Sequence, residues 1–429
     1  MSSIPSSPSK IYGIVDCDSF YNSVEVNFQP QFRGLPCLSL SNNDGCVVSR
    51  NKAAKELGIQ MGVPIFKIRD KIAKYGIVTF SANYVLYGDM SSRVMDSLAM
   101  FAPDIEVYSI DEAWLDLTPF SHQNVTEYAH HIKDTVSQWT GIPVSLGVAT
   151  TKTLAKVSLQ VAKETSRYNS VFNLDDSPEA ESILATFPVA DIWGIGRQYN
   201  KWLNAQGIET AKELRDANEG LIRKKMGVVG VRMIHELRGI SCLPLKLVAK
   251  PKKETCVSRS FGQPVTKLAD LQEAIAAYAS RAAEKLREQG QVAEAMVVFA
   301  RTSPFKPGYF RQSVTVTFSI ATNYTPAIVE AARKAMERIY EPGREFQKAG
   351  VLMVGLASET TIQGHLWEKD EDWEKRKRLM SIMDKVNERF GRGTLEIAAS
   401  GVRQIWRMQS KWQSPRYTTC WAELPVASC

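Results

Sequence analysis

Asp111 and Glu112 stand side by side at the centre of an apolar, strand-like run, Tyr108-Ser109-Ile110-Asp111-Glu112-Ala113-Trp114-Leu115-Asp116-Leu117. Like charges this close cannot both stay ionised in an apolar setting without a cation. A second acidic run lies upstream, Ile11-Tyr12-Gly13-Ile14-Val15-Asp16-Cys17-Asp18-Ser19-Phe20-Tyr21, where alternation puts Asp16 and Asp18 on one face. Three or four carboxylates converging from two strands make a hard, oxygen-rich site suited to Mg²⁺. Two such ions can activate an attacking hydroxyl and stabilise a leaving pyrophosphate. Tyr21, five residues after Asp16, is expected at the floor of whatever binds there, whereas Phe20 reads as a core aromatic.

These residues need particular elements to position them. In an ideal strand Asp111 and Glu112 point to opposite faces, so the chain must bend between them: a strand, an acidic corner, and a return strand over 113–117. Residues 20–28 carry a helical pattern leading away from Asp16. Residues 36–40 and 46–50 read as short strands joined by the turn Ser41-Asn42-Asn43-Asp44-Gly45. A short helix is expected over 49–58, closed by Gly58, with Lys52 and Lys55 on one face within reach of a triphosphate. Helices over 90–102 and 125–140, a strand over 144–149 and a helix over 151–163 follow. That order describes a small ferredoxin-like α+β sheet with helices on one face, and it brings Lys163 near the carboxylates.

From about residue 177 the character changes. Asp191-Ile192-Trp193-Gly194-Ile195-Gly196-Arg197, with a helix over 199–206 and Gly207-Ile208 beyond it, forms a helix-hairpin-helix pattern. Such a turn offers backbone N–H groups around Gly194, Gly196 and Arg197 to a DNA phosphate. A basic stretch over 244–254, with Lys250, Lys252 and Lys253, reads as an extended tether. Residues 256–356 then repeat a β-α-β-β-α-β order, with Arg259, Arg301 and Arg311 as candidates for a nucleic-acid backbone. Beyond Gln363-Gly364-His365-Leu366-Trp367 a charged helix spans 368–390, and the polar tail carries Trp406, Trp412, Tyr417 and Trp421 in the manner of a docking module.

Composition narrows the class. A chain of 429 residues, 44% hydrophobic, suggests three or more domains. No apolar run approaches the roughly 20 residues of a membrane span, and the first ten residues, read as a flexible leader, lack a signal core. Seven cysteines without a C-x-x-C pair, and five histidines without ligand spacing, argue against a zinc site or a disulfide framework and for a reducing cytoplasm. Residues 1–176 carry 15 Lys and Arg against 18 Asp and Glu, whereas 177–429 carry 38 against 28. An acidic, metal-binding part joined to a basic part suits a polyanionic substrate.

Asp16 with Phe20-Tyr21, Ser41-Asn42-Asn43-Asp44-Gly45-Cys46 and above all Ser109-Ile110-Asp111-Glu112 resemble the Y-family translesion DNA polymerases. The resemblance is to the UmuC type, the catalytic subunit of bacterial DNA polymerase V. It extends through Gly391-Arg392-Gly393-Thr394-Leu395 and Ser414-Pro415-Arg416-Tyr417-Thr418-Thr419.

The resemblance implies a multidomain α+β right-hand polymerase: a ferredoxin-like palm (1–20 and 81–176), small fingers (21–80), a helix-hairpin-helix thumb (177–243), a basic linker (244–253), a little finger (254–358) and a C-terminal extension (359–429). It implies error-prone, template-directed synthesis in SOS-type damage tolerance. Asp16, Asp111 and Glu112 match its metal ligands, with the Cys17 carbonyl as a further one, for two Mg²⁺ ions; Asp18 is not a principal ligand. Tyr21 matches the steric gate that excludes ribonucleotides. Lys52, Lys55 and Lys163 fall at triphosphate positions with Ser49 close by, although some relatives carry Tyr and Arg where this chain has Lys52 and Lys55. Gln363, Leu366 and Trp367 match a sliding-clamp-binding peptide.

The partners implied are primer-template DNA, deoxynucleoside triphosphates, a processed UmuD-like dimer, a RecA-type recombinase filament and a sliding clamp, with no membrane. Two rival readings are a non-catalytic DNA- and clamp-binding scaffold regulating polymerase exchange, which leaves the three carboxylates without a purpose, and a two-metal nucleotidyl cyclase, which leaves the thumb pattern and second sheet unexplained.

Overall fold

The structure, a computed structural model, describes residues 10–248, 250–361, 370–402 and 404–424. The chain divides into two compact units, one made of residues 1–41, 45–249 and 412–429, the other of 42–44 and 250–411.

The first unit is built on β1 (Tyr12–Cys17), whose residues are almost all buried. Helix α1 (Phe20–Phe28) follows at once. Then come β2 (Cys37–Leu40), β3 (Val47–Arg50), α2 (Lys52–Glu56), α3 (Arg69–Tyr75) and β4 (Val78–Ser81), in which the three strands make a small sheet of order β3-β2-β4. The turn between β2 and β3 uses positive φ at Asn43 (61°) and Asp44 (50°), the residue types that tolerate it, whereas Gly45 stays at −78°. The helix expected from residue 49 begins at Lys52, because Ser49 and Arg50 pair with β2 as strand and Asn51 caps the helix by accepting from the Ala54 amide.

Helix α4 (Tyr84–Leu98), capped by Asn83, starts earlier and ends earlier than the apolar pattern over 90–102 suggests. Phe101 is buried in the loop that follows it. After β5 (Ile105–Val107), β6 (Glu112–Asp116), α5 (Val125–Thr140), β7 (Val144–Ala149), α6 (Lys152–Glu164) and β8 (Val171–Asn173), the main sheet has the order β5-β6-β1-β7-β8.

Helices cover both faces of this sheet rather than one. Val15, Cys17, Ala113, Leu115, Leu146 and Val148 pack with α4 and α5. The alternate residues Tyr12, Ile14, Trp114 and Ala149 pack with α6. Strands that read as continuous apolar runs are those buried on both sides, which is the physical content of the fully buried β7. Helices α7 (Ala180–Thr186), α8 (Arg197–Ala205), α9 (Ala211–Asp216) and α10 (Glu219–Leu237) extend the α6-side core. Thr210 and Glu213 form a reciprocal capping box at the start of α9. In α10 the helical path breaks at Gly227 (φ 67°).

The second unit follows the expected β-α-β-β-α-β order: β9 (Thr255–Val265), α11 (Leu268–Glu288), β10 (Gln291–Thr302), β11 (Arg311–Thr322), α12 (Thr325–Ile339) and β12 (Phe346–Ser358). Its sheet, β11-β10-β12-β9, is packed on one face by both helices. Helix α13 (Asp370–Phe390) attaches through the Arg287–Asp384 ion pair at 2.7 Å. Trp406 is not a docking aromatic: it is buried in this unit's core against Tyr278.

Candidate active site

Strands β1 and β6 are antiparallel neighbours, and their register puts Asp16 directly opposite Glu112. Both occupy the α6 side of the sheet, the side of Ile14 and Trp114 two residues away. The chain bends ahead of Glu112, as the adjacent carboxylates require. The amides of Tyr108 and Ser109 donate to the Glu112 carbonyl at 3.0 and 3.1 Å. The Ser109 hydroxyl accepts from the amides of Asp111 and Glu112 and donates to the Asp111 carboxylate. The Cys17 amide donates to the Asp111 carbonyl at 2.8 Å and so ties this turn to the end of β1.

Asp18 does not share a strand face with Asp16. The strand ends at Cys17 and the backbone turns through Ser19 at φ 49°. The Asp18 carboxylate instead accepts the Ser145 hydroxyl at 2.9 Å and lies 3.7 Å from the Lys163 ammonium.

Two lysines of α6 answer the two facing carboxylates. Lys163 pairs with Asp16, and Lys156 pairs with Glu112. Lys156 escaped the sequence reading, although Lys156 and Lys163 stand seven residues apart on one helix face; Lys152, four residues before Lys156, pairs instead with Glu106. Burial pushes the Asp16 carboxyl up to about 7, with Lys163 opposing the shift and Glu112 adding to it. Burial likewise raises Asp18, against the pull of Lys163, Ser145 and Lys55.

Tyr21, on the first turn of α1, stacks on Tyr87 of α4 with centroids 4.6 Å apart and planes at 16°, and meets Tyr84 edge-on at 5.9 Å. Burial raises its phenol above the ordinary range. Lys52 and Lys55 are exposed on α2. Lys55 is close enough to act on Asp18 electrostatically. Ser49 is turned inward: it is buried, accepts from Asn22 at 3.2 Å and donates to the Ser19 carbonyl at 3.4 Å, so its hydroxyl holds β3 to the start of α1.

As a donor set, Asp16, Asp111, Glu112 and the Cys17 carbonyl are all hard oxygens, the chemistry that suits a divalent cation of the Mg²⁺ kind. Asp16 and Glu112 are brought together and are already answered by two cations, which is the electrostatic environment a metal would share. Asp111 joins them through its backbone. Among the described residues no three His, Cys, Asp or Glu side chains gather as a finished cage.

The basic candidates fall into distinct places. Gly194 takes φ 96° and Gly196 caps α8, whose first residue is the exposed Arg197. Lys250, Lys252 and Lys253 are exposed. Arg301 sits opposite Arg311 on one side and Lys348 on the other, a cationic row across the sheet face away from the helices. Arg259 does not belong to that row. It shares the face of Val257 and Phe261, which pack toward α11, and its charge acts on Tyr278 and Lys285 of that helix. Gln363, Leu366 and Trp367 lie outside the described residues.

The fold defines the class of protein. The structure resembles a Y-family DNA polymerase chimera, Dbh-Dpo4(243-245)-Dbh, with a TM-score of 0.64 and 23% identity, over 81% of this chain and 99% of that one. It also resembles the insertion ternary complex of Dbh DNA polymerase, with a TM-score of 0.54 and 22% identity over 81% and 99%. The right-hand polymerase fold is therefore the fold of this chain.

Sequence likeness then fixes the family. Residues 15–160 match the impB/mucB/samB family, 252–366 its C-terminal domain, and 377–427 a domain of unknown function (DUF4113). Protein UmuC of Salmonella typhimurium is 40% identical over 96% of this chain and 99% of its own, and Protein SamB of Salmonella typhimurium 38% identical over 97% and 99%. The chain belongs to the impB/mucB/samB family, as a UmuC-type member with the Y-family polymerase fold.

Proposed function

We propose that this UmuC-type chain, an error-prone translesion DNA polymerase, adds deoxynucleotides to a primer 3′-hydroxyl at the site where β1 and the turn before β6 meet. The observation that carries the assignment to these residues is the Asp16–Glu112 register, which sets two carboxylates of the matching motifs face to face. Divalent cations, two in this reading and Mg²⁺ by the hardness of the donors, would be held by Asp16, Asp111, Glu112 and the Cys17 carbonyl, and would supply activation of the hydroxyl and charge neutralisation at the leaving pyrophosphate.

The chain's own residues do the rest. Lys163 and Lys55 lie beside the acidic cluster and offset triphosphate charge, with Lys52 next to them on α2. Tyr21 crowds the sugar 2′-position. The Ser109 turn holds Asp111 and Glu112 in place. Palm, fingers and thumb are read as residues 1–20 with 81–176, 21–80 and 177–243, and the little finger as 254–358. Within that last domain Arg301, Arg311 and Lys348 offer a charge row to phosphates, and Gly194–Arg197 does so in the thumb.

A processed UmuD-like dimer, a recombinase filament and a sliding clamp gripped by residues 363–367 complete the reading. So does a reducing cytoplasm, which the free thiols of the six described cysteines support. No helix among the described residues is long and apolar enough to cross a membrane. Primer extension by purified protein with Mg²⁺, with and without those partners, tests the proposal. Template-directed deoxynucleotide incorporation that stops on chelation is expected; DNA binding with no incorporation under any partner condition would leave the scaffold reading in its place.

A further inference from the structure

The segment after residue 411, part of the domain of unknown function, belongs to the first unit and reaches the helix that carries Tyr21. Trp412 pairs with Ser81 at the end of β4: its amide donates to the Ser81 hydroxyl at 2.9 Å, and the Ser81 amide donates to its carbonyl at 3.0 Å. Asn83, fully buried, spends its side-chain amide on this segment, donating to the Ser414 carbonyl and hydroxyl at 3.0 Å each and to the Pro415 carbonyl at 3.2 Å. Two residues on, Tyr417 stacks on Phe28 with centroids 4.7 Å apart and planes at 9°.

Glu25 joins these contacts to the tyrosines. It is wholly buried on α1, and its Oε1 accepts both the Tyr87 hydroxyl at 2.7 Å and the Ser414 hydroxyl at 3.0 Å, while Oε2 has no partner. Tyr21, Glu25 and Phe28 recur at i, i+4 and i+7, one face of α1. Along that face Tyr21 meets Tyr87, Glu25 meets Tyr87 and Ser414, and Phe28 meets Tyr417. A buried carboxyl with a bare oxygen is costly, and each hydroxyl it accepts lowers that cost. The tail therefore supplies one of the two donors to Glu25, the other being the hydroxyl of Tyr87, the ring against which Tyr21 is stacked.

We propose that Ser414 and Tyr417 of the C-terminal segment are positioning residues for sugar selection, holding Tyr21 through Glu25 and Tyr87. This rests on the reading of Tyr21 as the gate. The segment thus has a task inside the catalytic unit, beside any partner it meets elsewhere.

The test measures the ratio of deoxyribonucleotide to ribonucleotide incorporation efficiency in the full chain with primer-template DNA and whatever accessory proteins its activity needs. The ratio divides out any loss of active enzyme. Ser414→Ala is expected to lower the ratio about fivefold, the size of one lost neutral hydrogen bond, and Ser414→Thr, which keeps the hydroxyl, to restore it. Tyr21→Ala, measured beside them, is expected to lower it further. If Tyr21→Ala lowers the ratio while Ser414→Ala and Tyr417→Ala leave it at the wild-type value, the positioning role is overturned and the gate stands. An unchanged ratio in Tyr21→Ala removes both. Should Ser414→Ala fail to fold, Tyr87→Phe, which keeps the stacked ring and loses only the hydroxyl to Glu25, reads the same linkage, and an unchanged ratio there also overturns it.

Discussion

Glu25 shows most clearly how a single residue reports its surroundings. Burial pushes its carboxyl up to about 6 from 4.5, against the donations of Tyr87 and Ser414; Tyr417 is the further titratable group within its field. The folded state then holds the proton more tightly than the unfolded chain. Its contribution to stability is complete below pH 4.5 and is lost as pH rises through 6, amounting to roughly 2 kcal/mol. Melting temperature measured from pH 4.5 to 7.5 should fall more steeply in the wild type than in Glu25→Gln, which has no proton to lose. Parallel curves would show that Glu25 titrates normally. The residues of the proposed site were legible as types before they were legible as a cluster: Asp16, Asp111, Glu112 and Tyr21 stand in motifs, but the partner of Glu112 does not. Lys156 belongs to a helix whose lysines serve a target distant in sequence, and only the strand register and helix packing say which carboxylate each one meets.

Among elements, α6 is the one whose placement matters most, since it carries both lysines. Its distance from the sheet is set by Gly147 on β7. A Cβ there would lie 2.2 Å from the Leu159 amide nitrogen and 2.3 Å from the Ala155 carbonyl oxygen, both backbone atoms of α6, so the helix itself would have to move. Gly147→Ala is expected to destabilise by about 1–3 kcal/mol or more and to cut primer extension in the protein that still folds. Gly88→Ala is the control: exposed within α4, with nothing within 4 Å of its Cβ, it should stabilise by about 0.5–1 kcal/mol. Calorimetry of the two variants checks both signs, and equal melting temperatures would show that the contact between α6 and the sheet is slack. Helices and strands with a clean period, such as 125–140 and 144–149, were legible to the residue. Where a strand ran into a helix the boundary was not: Ser49 and Arg50 fall in both the strand read over 46–50 and the helix read over 49–58, and pairing with β2 makes them strand. The second covering layer of the sheet was likewise hidden, because alternation marks two buried faces without saying what fills each.

At the scale of the whole molecule, the helix-hairpin-helix pattern and the second β-α-β-β-α-β sheet were readable from periodicity and turn residues, and the Y-family fold agrees with them, whereas β4 and β8 of the first unit were not read and the strand before the acidic corner lies at 105–107 rather than within 108–117. The tail was not readable. Trp406 and Tyr417 look like docking aromatics by composition, yet one lies in the core of the second unit and the other against Phe28, because a polar tail can bury single rings in grooves that earlier elements leave open. In the proposed reading, metal chemistry falls on the acidic part and DNA affinity on the basic remainder, on separate residues. That separation gives the account its most direct test, a paired measurement of Mg²⁺-dependent primer extension and of primer-template binding by Asp111→Ala and Glu112→Ala. The account predicts that extension falls by at least about a thousandfold while the dissociation constant for DNA stays within about threefold of the wild type. Extension at the wild-type rate by either variant would contradict it.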